Sequence, residues 1–299
     1  MCKLKTLKLV VILIISINSL RAQNRNDKLY FYYEYSPKTN LRDTVGYSQL
    51  SQIYDIQIGV PPIQLGKRLK WINVVNIKTS NYSLEKLPEQ YKKAVSTLFE
   101  GQYGMVFIYD FINPKWSVLV SPRFIIRSSL SAIEFEKSLF PSGILIINYN
   151  ADARKRLVWS FGFAYANDFN KNVLIPIAGL SYQDEKFCIE VAYPRINFLY
   201  KPKPKIEWGI TASAIGGIYH IPNLSLANNT IANYTRTVTV QAGHTFNYLF
   251  TKRLIINSCI GYSFIRNYDL MNDDFKPIDN AKLDLKQAIF IRTGLSFRI

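Results

Sequence analysis

The sequence predicts an all-β fold, a transmembrane antiparallel β-barrel of about fourteen strands, with twelve as the alternative count. Three observations carry that expectation. The first is the C-terminal segment LKQAIFIRTGLSFRI, residues 285–299, which alternates with a period of two. Ile289, Ile291, Thr293, Leu295, Phe297 and Ile299 share one face, against Phe290, Arg292, Gly294, Ser296 and Arg298 on the other. An oily face backed by Arg, Gly and Ser suits a wall with lipid outside and polar groups inside. The second is composition. Hydrophobic residues make up 48% of the chain and aromatics 14%, yet past the N-terminus no apolar run approaches the roughly 20 residues of a membrane helix. The third lies at the N-terminus, where Lys3, Lys5 and Lys8 precede an apolar run from Leu9 to Ile17, followed by a small-residue cleavage point after Ala22. That is the pattern of a secretory signal peptide. The run is too short to span a bilayer, and Cys2 precedes it, so Cys2 is not the acylated cysteine of a lipoprotein. The expected organisation is a signal peptide over residues 1–22 and one barrel domain over 23–299.

Strand-like segments bounded by turn residues follow in order at 28–36, 50–60, 69–79, 102–112, 115–127, 142–150 and 156–166. The second half of the chain supplies 172–183, 186–193, 195–201, 205–219, 235–248, 253–266 and 286–299. Two of them alternate most clearly. Leu157, Trp159, Phe161, Phe163 and Tyr165 oppose Val158, Ser160, Gly162, Ala164 and Ala166; Leu254, Ile256, Ser258, Ile260, Tyr262 and Phe264 oppose Asn257, Cys259, Gly261 and Ser263. Segments 69–79, 142–150 and 172–183 are apolar on both faces, and reading 186–201 as a loop would give twelve strands.

With both termini on the periplasmic side, the connections fall into two classes. Short turns at 62–68, 113–115, 151–155, 184–185, 202–204 and 249–252 occupy one end. The other end receives 37–49, 80–101, 128–141, 167–171, a tight turn at Pro194, 220–234 and 267–285, mostly long. Within the second of these, Pro88 at a first helical position and Gly101 as a stop predict a short helix that folds over the barrel mouth.

Loss of Lys3, Lys5, Lys8 and Arg21 with the signal lowers the formal net charge from +16 to +12. The excess gathers in the short turns, at Lys67, Arg68, Lys70, Lys115, Arg154, Lys155, Arg156, Lys186, Lys201, Lys203, Lys205, Lys252 and Arg253. Cations there meet lipid phosphates, and long side chains snorkel to them. Scattered over six turns of an exported chain, they do not form a nucleic-acid site. The expected partners are outer-membrane lipids and the barrel-assembly machinery, the latter engaged through the C-terminal strand, where Phe297 stands in for the absent terminal aromatic residue.

Alternation directs Glu34, Asp55, Gln57, Arg123, Arg127, Glu190, Asn197, Glu207, Thr211, Gln241, Asn257 and Arg292 toward the lumen. Both signs are present, so these residues either line a wet pore or fill a narrow barrel with ion pairs. No catalytic, cofactor or metal site is expected. The two histidines, His220 and His244, lack a serine two positions on, and no phosphate loop or nucleophile elbow appears. Cys188 and Cys259 fall on non-neighbouring strands, so no disulfide framework is implied.

The stretch 157–221 carries Gly162, Asn167-Asp168-Phe169, Pro176, Pro194, Tyr200-Lys201-Pro202 and Gly217 before Tyr219. It resembles a family of uncharacterised outer-membrane β-barrel proteins common in Bacteroidetes, a resemblance that extends more loosely from NPKW at 113–116 to the C-terminus. The resemblance implies a barrel in the outer membrane of a Gram-negative bacterium and supplies no site residues. The function expected is a passive channel or carrier for small or apolar molecules, the alternative being a non-conducting barrel that anchors, or is a subunit of, an envelope assembly.

Overall fold

The computed structural model describes residues 29–40, 48–152, 154, 156–166, 173–192, 194–226, 230–251, 253–282 and 284–297. The signal segment, Asn167-Asp168-Phe169, Lys155, Lys252, Arg298 and Ile299 lie outside the described residues. The strands are β1 (Leu29–Asn40), β2 (Ser48–Gly59), β3 (Ile63–Leu65), β4 (Leu69–Glu85), β5 (Thr97–Asp110), β6 (Trp116–Ser129), β7 (Leu139–Asn150) and β8 (Leu157–Ala166). They continue as β9 (Val173–Gln183), β10 (Phe187–Ala192), β11 (Arg195–Lys203), β12 (Ile206–Ser225), β13 (Ile231–Leu249), β14 (Leu254–Met271), β15 (Pro277–Lys282) and β16 (Ala288–Phe297).

Fourteen of these strands close into an antiparallel ring, with β3 and β15 as short side pairings on β4 and β14. The ring shuts where the last strand meets the first, from Leu29 opposite Phe297 to Tyr35 opposite Ile291. On its other side β16 pairs with β14 from Leu254–Phe297 to Ser263–Ala288. β10 and β11 are full members of the wall, paired from Phe187–Tyr200 to Ala192–Arg195, which excludes the twelve-strand count.

The outside is apolar around the ring, and each strand puts its large residues there. Ile56, Val75, Phe124, Leu145, Phe161, Phe198, Ile210, Ile260 and Ile291 are all exposed. Near the end that holds the chain termini, outward aromatics sit in line across neighbouring strands. Trp116 pairs with Tyr149 and Tyr149 with Trp159; farther round, Tyr200 pairs with Trp208 and Trp208 with Phe246. An apolar band edged by aromatic residues is the exterior of a barrel that sits in lipid.

At the opposite end the expected long loops are replaced largely by paired strand. β4 runs to Glu85, β12 to Ser225 and β14 to Met271, well past the stops read from turn residues. Their buried residues, Tyr82 of β4, Ile221 and Leu224 of β12, and Leu270 and Met271 of β14, pack into hydrophobic clusters at this end. The expected helix spans only Glu89–Val95 with Pro88 as its cap residue, and Gly101 is not its stop. Thr97–Gly101 is strand instead, with Leu98 and Glu100 turned inward and buried. Ala94 and Val95 pack with Ile221, Leu224, Ala232, Leu270, Ile278 and Ala281, so the helix joins a small hydrophobic core across part of the mouth.

That core forms where β12, still paired with β13 as far as His220 opposite Tyr234, runs on past the end of β11. Beyond Ser213 it has no β11 partner, and it crosses the interior until His220 meets Ser128 of β6 in a parallel bridge. Both faces of the crossing segment are covered. Ile218 packs with Ile125 of β6 and Phe140 of β7, while Tyr219 packs with Leu98, Tyr82 and Tyr268 on the other side. The mouth is thereby split in two.

Candidate interior site

The split divides the inward residues by environment. On the side of β1, β2, β4, β5, β13, β14 and β16 the interior is filled. Glu34 accepts hydrogen bonds from Arg292 Nε at 2.9 Å and Nη2 at 2.5 Å, and Gln241 Nε2 approaches the same carboxylate oxygen at 3.5 Å. Asp55 accepts from Asn76 Nδ2 at 2.7 Å, and the same amide also reaches Tyr30 Oη at 3.2 Å. Gln57 lies inward and half-buried next to them. Asn257 Nδ2 donates to Ser296 Oγ at 2.9 Å. Where β6 meets this half, Arg127 Nε donates to Glu100 Oε2 at 2.8 Å and Tyr219 Oη donates to the same oxygen at 3.2 Å. Glu34, Ser51, Asn76, Ser80, Glu100, Gln241, Ser263 and Arg266 are all buried. The gap left among Glu34, Lys78, Tyr219, Gln241, Arg266 and Tyr268 measures about 30 Å³, room for roughly two waters and for no solute.

The side of β6 to β12 differs. Arg123, Asn148, Ser160, Glu190, Asn197, Thr211 and Ser213 face inward and keep intermediate exposure. Asn197 links two strands, donating from Nδ2 to Glu190 at 3.0 Å and accepting from Thr211 Oγ1 at 2.6 Å. Arg123 Nε donates to Ser121 Oγ at 3.3 Å. Glu207 lies deep at the termini end, 1% exposed, accepting from Asn247 Nδ2 at 3.3 Å. The inward residues therefore differ in their surroundings, though Glu207 is buried on the β6–β12 side and Asp55, Gln57 and Asn257 are half-buried on the other. Arg127, Arg292, Glu34 and Gln241 belong to packed networks, whereas Arg123, Glu190, Asn197 and Thr211 face accessible space.

Several inward residues escaped the sequence reading. Glu100 sat in a presumed loop, and Lys78 and Asn76 in a segment whose apolar residues mask its alternation. Arg195 carried a usable signal. It alternates with Asn197 and Leu199 on one face of β11.

Of the two histidines, His220 is buried at the β6–β12 bridge and His244 is exposed on β13. Cys188 and Cys259 are free and buried, and among the described residues no three His, Cys, Asp or Glu side chains gather as metal ligands. His220 Nδ1 lies 2.9 Å from the Ala132 carbonyl, whereas Ser128 Oγ donates to that carbonyl at 2.7 Å and to the His220 main-chain oxygen at 3.3 Å. The hydroxyl thus fastens backbone and is not aimed at the ring.

A family model described as a domain of unknown function, DUF6268, matches residues 18–298. The chain belongs to that family. No curated protein matches. Among solved structures, this DUF6268 chain is similar to the NanC porin, with a TM-score of 0.41, 8% identity, and coverage of 91% of this chain and 100% of that one. It is also similar to an outer-membrane channel from Pseudomonas putida F1, with a TM-score of 0.44, 9% identity, and coverage of 95% and 100%. The translocator domain of the autotransporter NalP from Neisseria meningitidis gives a TM-score of 0.34, 10% identity, and coverage of 100% and 95%.

Proposed function

We propose that this protein is exported by a signal peptide cleaved near Ala22, sits in the outer membrane of a Gram-negative bacterium, and is a passive channel or carrier for small or apolar molecules. The passage runs through the β6–β12 half. A single observation supports this most. There Arg123, Asn148, Ser160, Glu190, Asn197, Thr211 and Ser213 all keep partial exposure. In the other half Glu34, Ser51, Asn76, Ser80, Glu100, Gln241 and Ser263 are buried and the gap left measures about 30 Å³, while remaining polar residues such as Asp55, Gln57, Lys78, Asn257 and Arg292 keep partial exposure. A polar floor of Glu190, Asn197 and Thr211 with an apolar wall above it suits transit of molecules with little hydration to shed. The reading is non-enzymatic. Its lipid partners meet the aromatic girdle and the basic turns, where Lys70 pairs with Asp110 and Arg156 with Asp152 at the termini end.

A second reading has its own support. The packed half and the core that joins the Glu89–Val95 helix to β12 favour a closed barrel that anchors or completes an envelope assembly. Proteoliposome flux separates the two. Uptake of small solutes above that of protein-free vesicles supports the passage, and vesicles loaded with folded protein that stay tight to every solute tested support the anchor.

A further inference from the structure

The inner wall of the accessible half is ordered in rows, because each cross-strand pair carries the row on to the next strand. One row runs Ile144–Ala164–Ile175, and the row beside it runs Ile146–Gly162–Ile177. An apolar patch therefore covers the inside of β7, β8 and β9, where a barrel wall facing only water would carry polar groups. Ile144, Ile146 and Ile175 are half-buried, so part of this patch is open to the lumen.

Cations border the patch on two sides. Arg123 pairs across to Ser142, one row beyond Ile144 toward the mouth. Arg195 pairs with Ala192, whose other neighbour, Gly179, follows Ile177 along β9 toward the termini end. Glu190 faces the same space, but Asn197 Nδ2 holds its carboxylate.

Resting on the passage proposed above, we infer that this half-lumen selects small amphipathic anions, molecules with an apolar body and a single negative head group. The body lies on the Ile144–Ile177 patch and sheds water there. The head group meets the Arg195 or Arg123 guanidinium, whose planar fork suits carboxylate, sulfonate and phosphate oxygens. Neutral polar solutes gain nothing from the patch, and apolar cations are repelled by both arginines.

Proteoliposomes with the membrane potential clamped by potassium and valinomycin test this, using labelled benzenesulfonate, phenyltrimethylammonium and methanesulfonate. The first two share a body and differ in charge; the first and third share a head group and differ in body. The expected result is benzenesulfonate uptake at least roughly tenfold faster than either, the ratio set by about 1.4 kcal/mol. Arg123→Gln with Arg195→Gln, checked for folding by the heat-dependent gel shift, is expected to abolish the preference over phenyltrimethylammonium. Equal uptake of the two aromatic ions by the wild-type protein overturns the inference and leaves the passage standing. Equal uptake of the two sulfonates overturns the apolar seat. If no ion enters faster than into protein-free vesicles, the passage itself fails, and this selectivity with it.

Discussion

Arg127→Leu is expected to destabilise the barrel strongly, and the size of the effect follows from how the arginine is held. Its side chain is 4% exposed and that of Glu100 is 11% exposed, so the pair lies in a medium where an unpaired charge is poorly tolerated. Gly217 permits the approach: a Cβ at that position would lie 3.0 Å from Arg127 Nε. The guanidinium also lies 6.0 Å from the centre of the Tyr219 ring. Removing it leaves the Glu100 carboxylate buried with the hydrogen bond from Tyr219 Oη. Breaking a buried pair from one side costs about 3–5 kcal/mol. The double variant Arg127→Leu with Glu100→Leu removes both charges and is expected to recover most of that loss, since an apolar pair of similar volume replaces a buried ion pair at little cost. Guanidinium titration of the detergent-refolded protein, followed by tryptophan fluorescence, measures all three. A single variant within about 1 kcal/mol of wild type, or a double variant as unstable as the two single losses added, refutes a buried network at the β5–β6–β12 junction.

Three further expectations follow from the same geometry. Phe161 is 52% exposed on the lipid face, so Phe161→Arg is expected to cost roughly 2–4 kcal/mol; normal yield and mobility in a folding gel would invert the register of β8. A Cβ at Gly162 would lie 1.9 Å from the Leu145 carbonyl oxygen, so Gly162→Ala has to displace β7 backbone, and a midpoint equal to wild type in the same titration would show that the strands do not approach that closely. In the β9–β10 turn, the Phe187 amide first, then Tyr182 Oη and the Lys186 amide, hold the Asp184 carboxyl below the usual carboxylate range. A depressed pKa stabilises above the unfolded value and loses that contribution as pH falls through the folded one. Protection of the Lys186 and Phe187 amides, corrected for intrinsic exchange, should therefore decline under acid conditions below the ordinary aspartate pKa, and pH-independent protection would contradict the assignment.

Much of the barrel was legible because lipid outside and polar groups inside impose a period of two. β8, β14 and β16 could be read residue by residue. The three strands without visible alternation, β4, β7 and β9, hid for a physical reason. Their inward Ile72, Ile144, Ile146, Ile175 and Ile177 are as apolar as their lipid-facing neighbours. The length of β12 was legible only to Tyr219, because its continuation looks like loop until its partners are known. Ile218, His220 and Ile221 are ordered by β6, β7 and the Glu89–Val95 helix, contacts between residues far apart in sequence. The division of the lumen follows from those contacts, so local pattern could not separate Arg127, locked to Glu100, from Arg123 on the same strand face.

The divided lumen is tested most directly by cysteine scanning, in a background where Cys188 and Cys259 are replaced by serine. Single cysteines at Ile146, Ser160 and Ser213 probe the β6–β12 half, and cysteines at Ser51, Ser80 and Ser263 probe the other half. A membrane-impermeant, water-soluble thiol reagent applied to the folded protein in lipid vesicles is expected to label the first three and leave the second three unmodified until the protein is unfolded. Equal labelling of the two sets, or labelling of Ser51, Ser80 and Ser263 alone, would contradict the account.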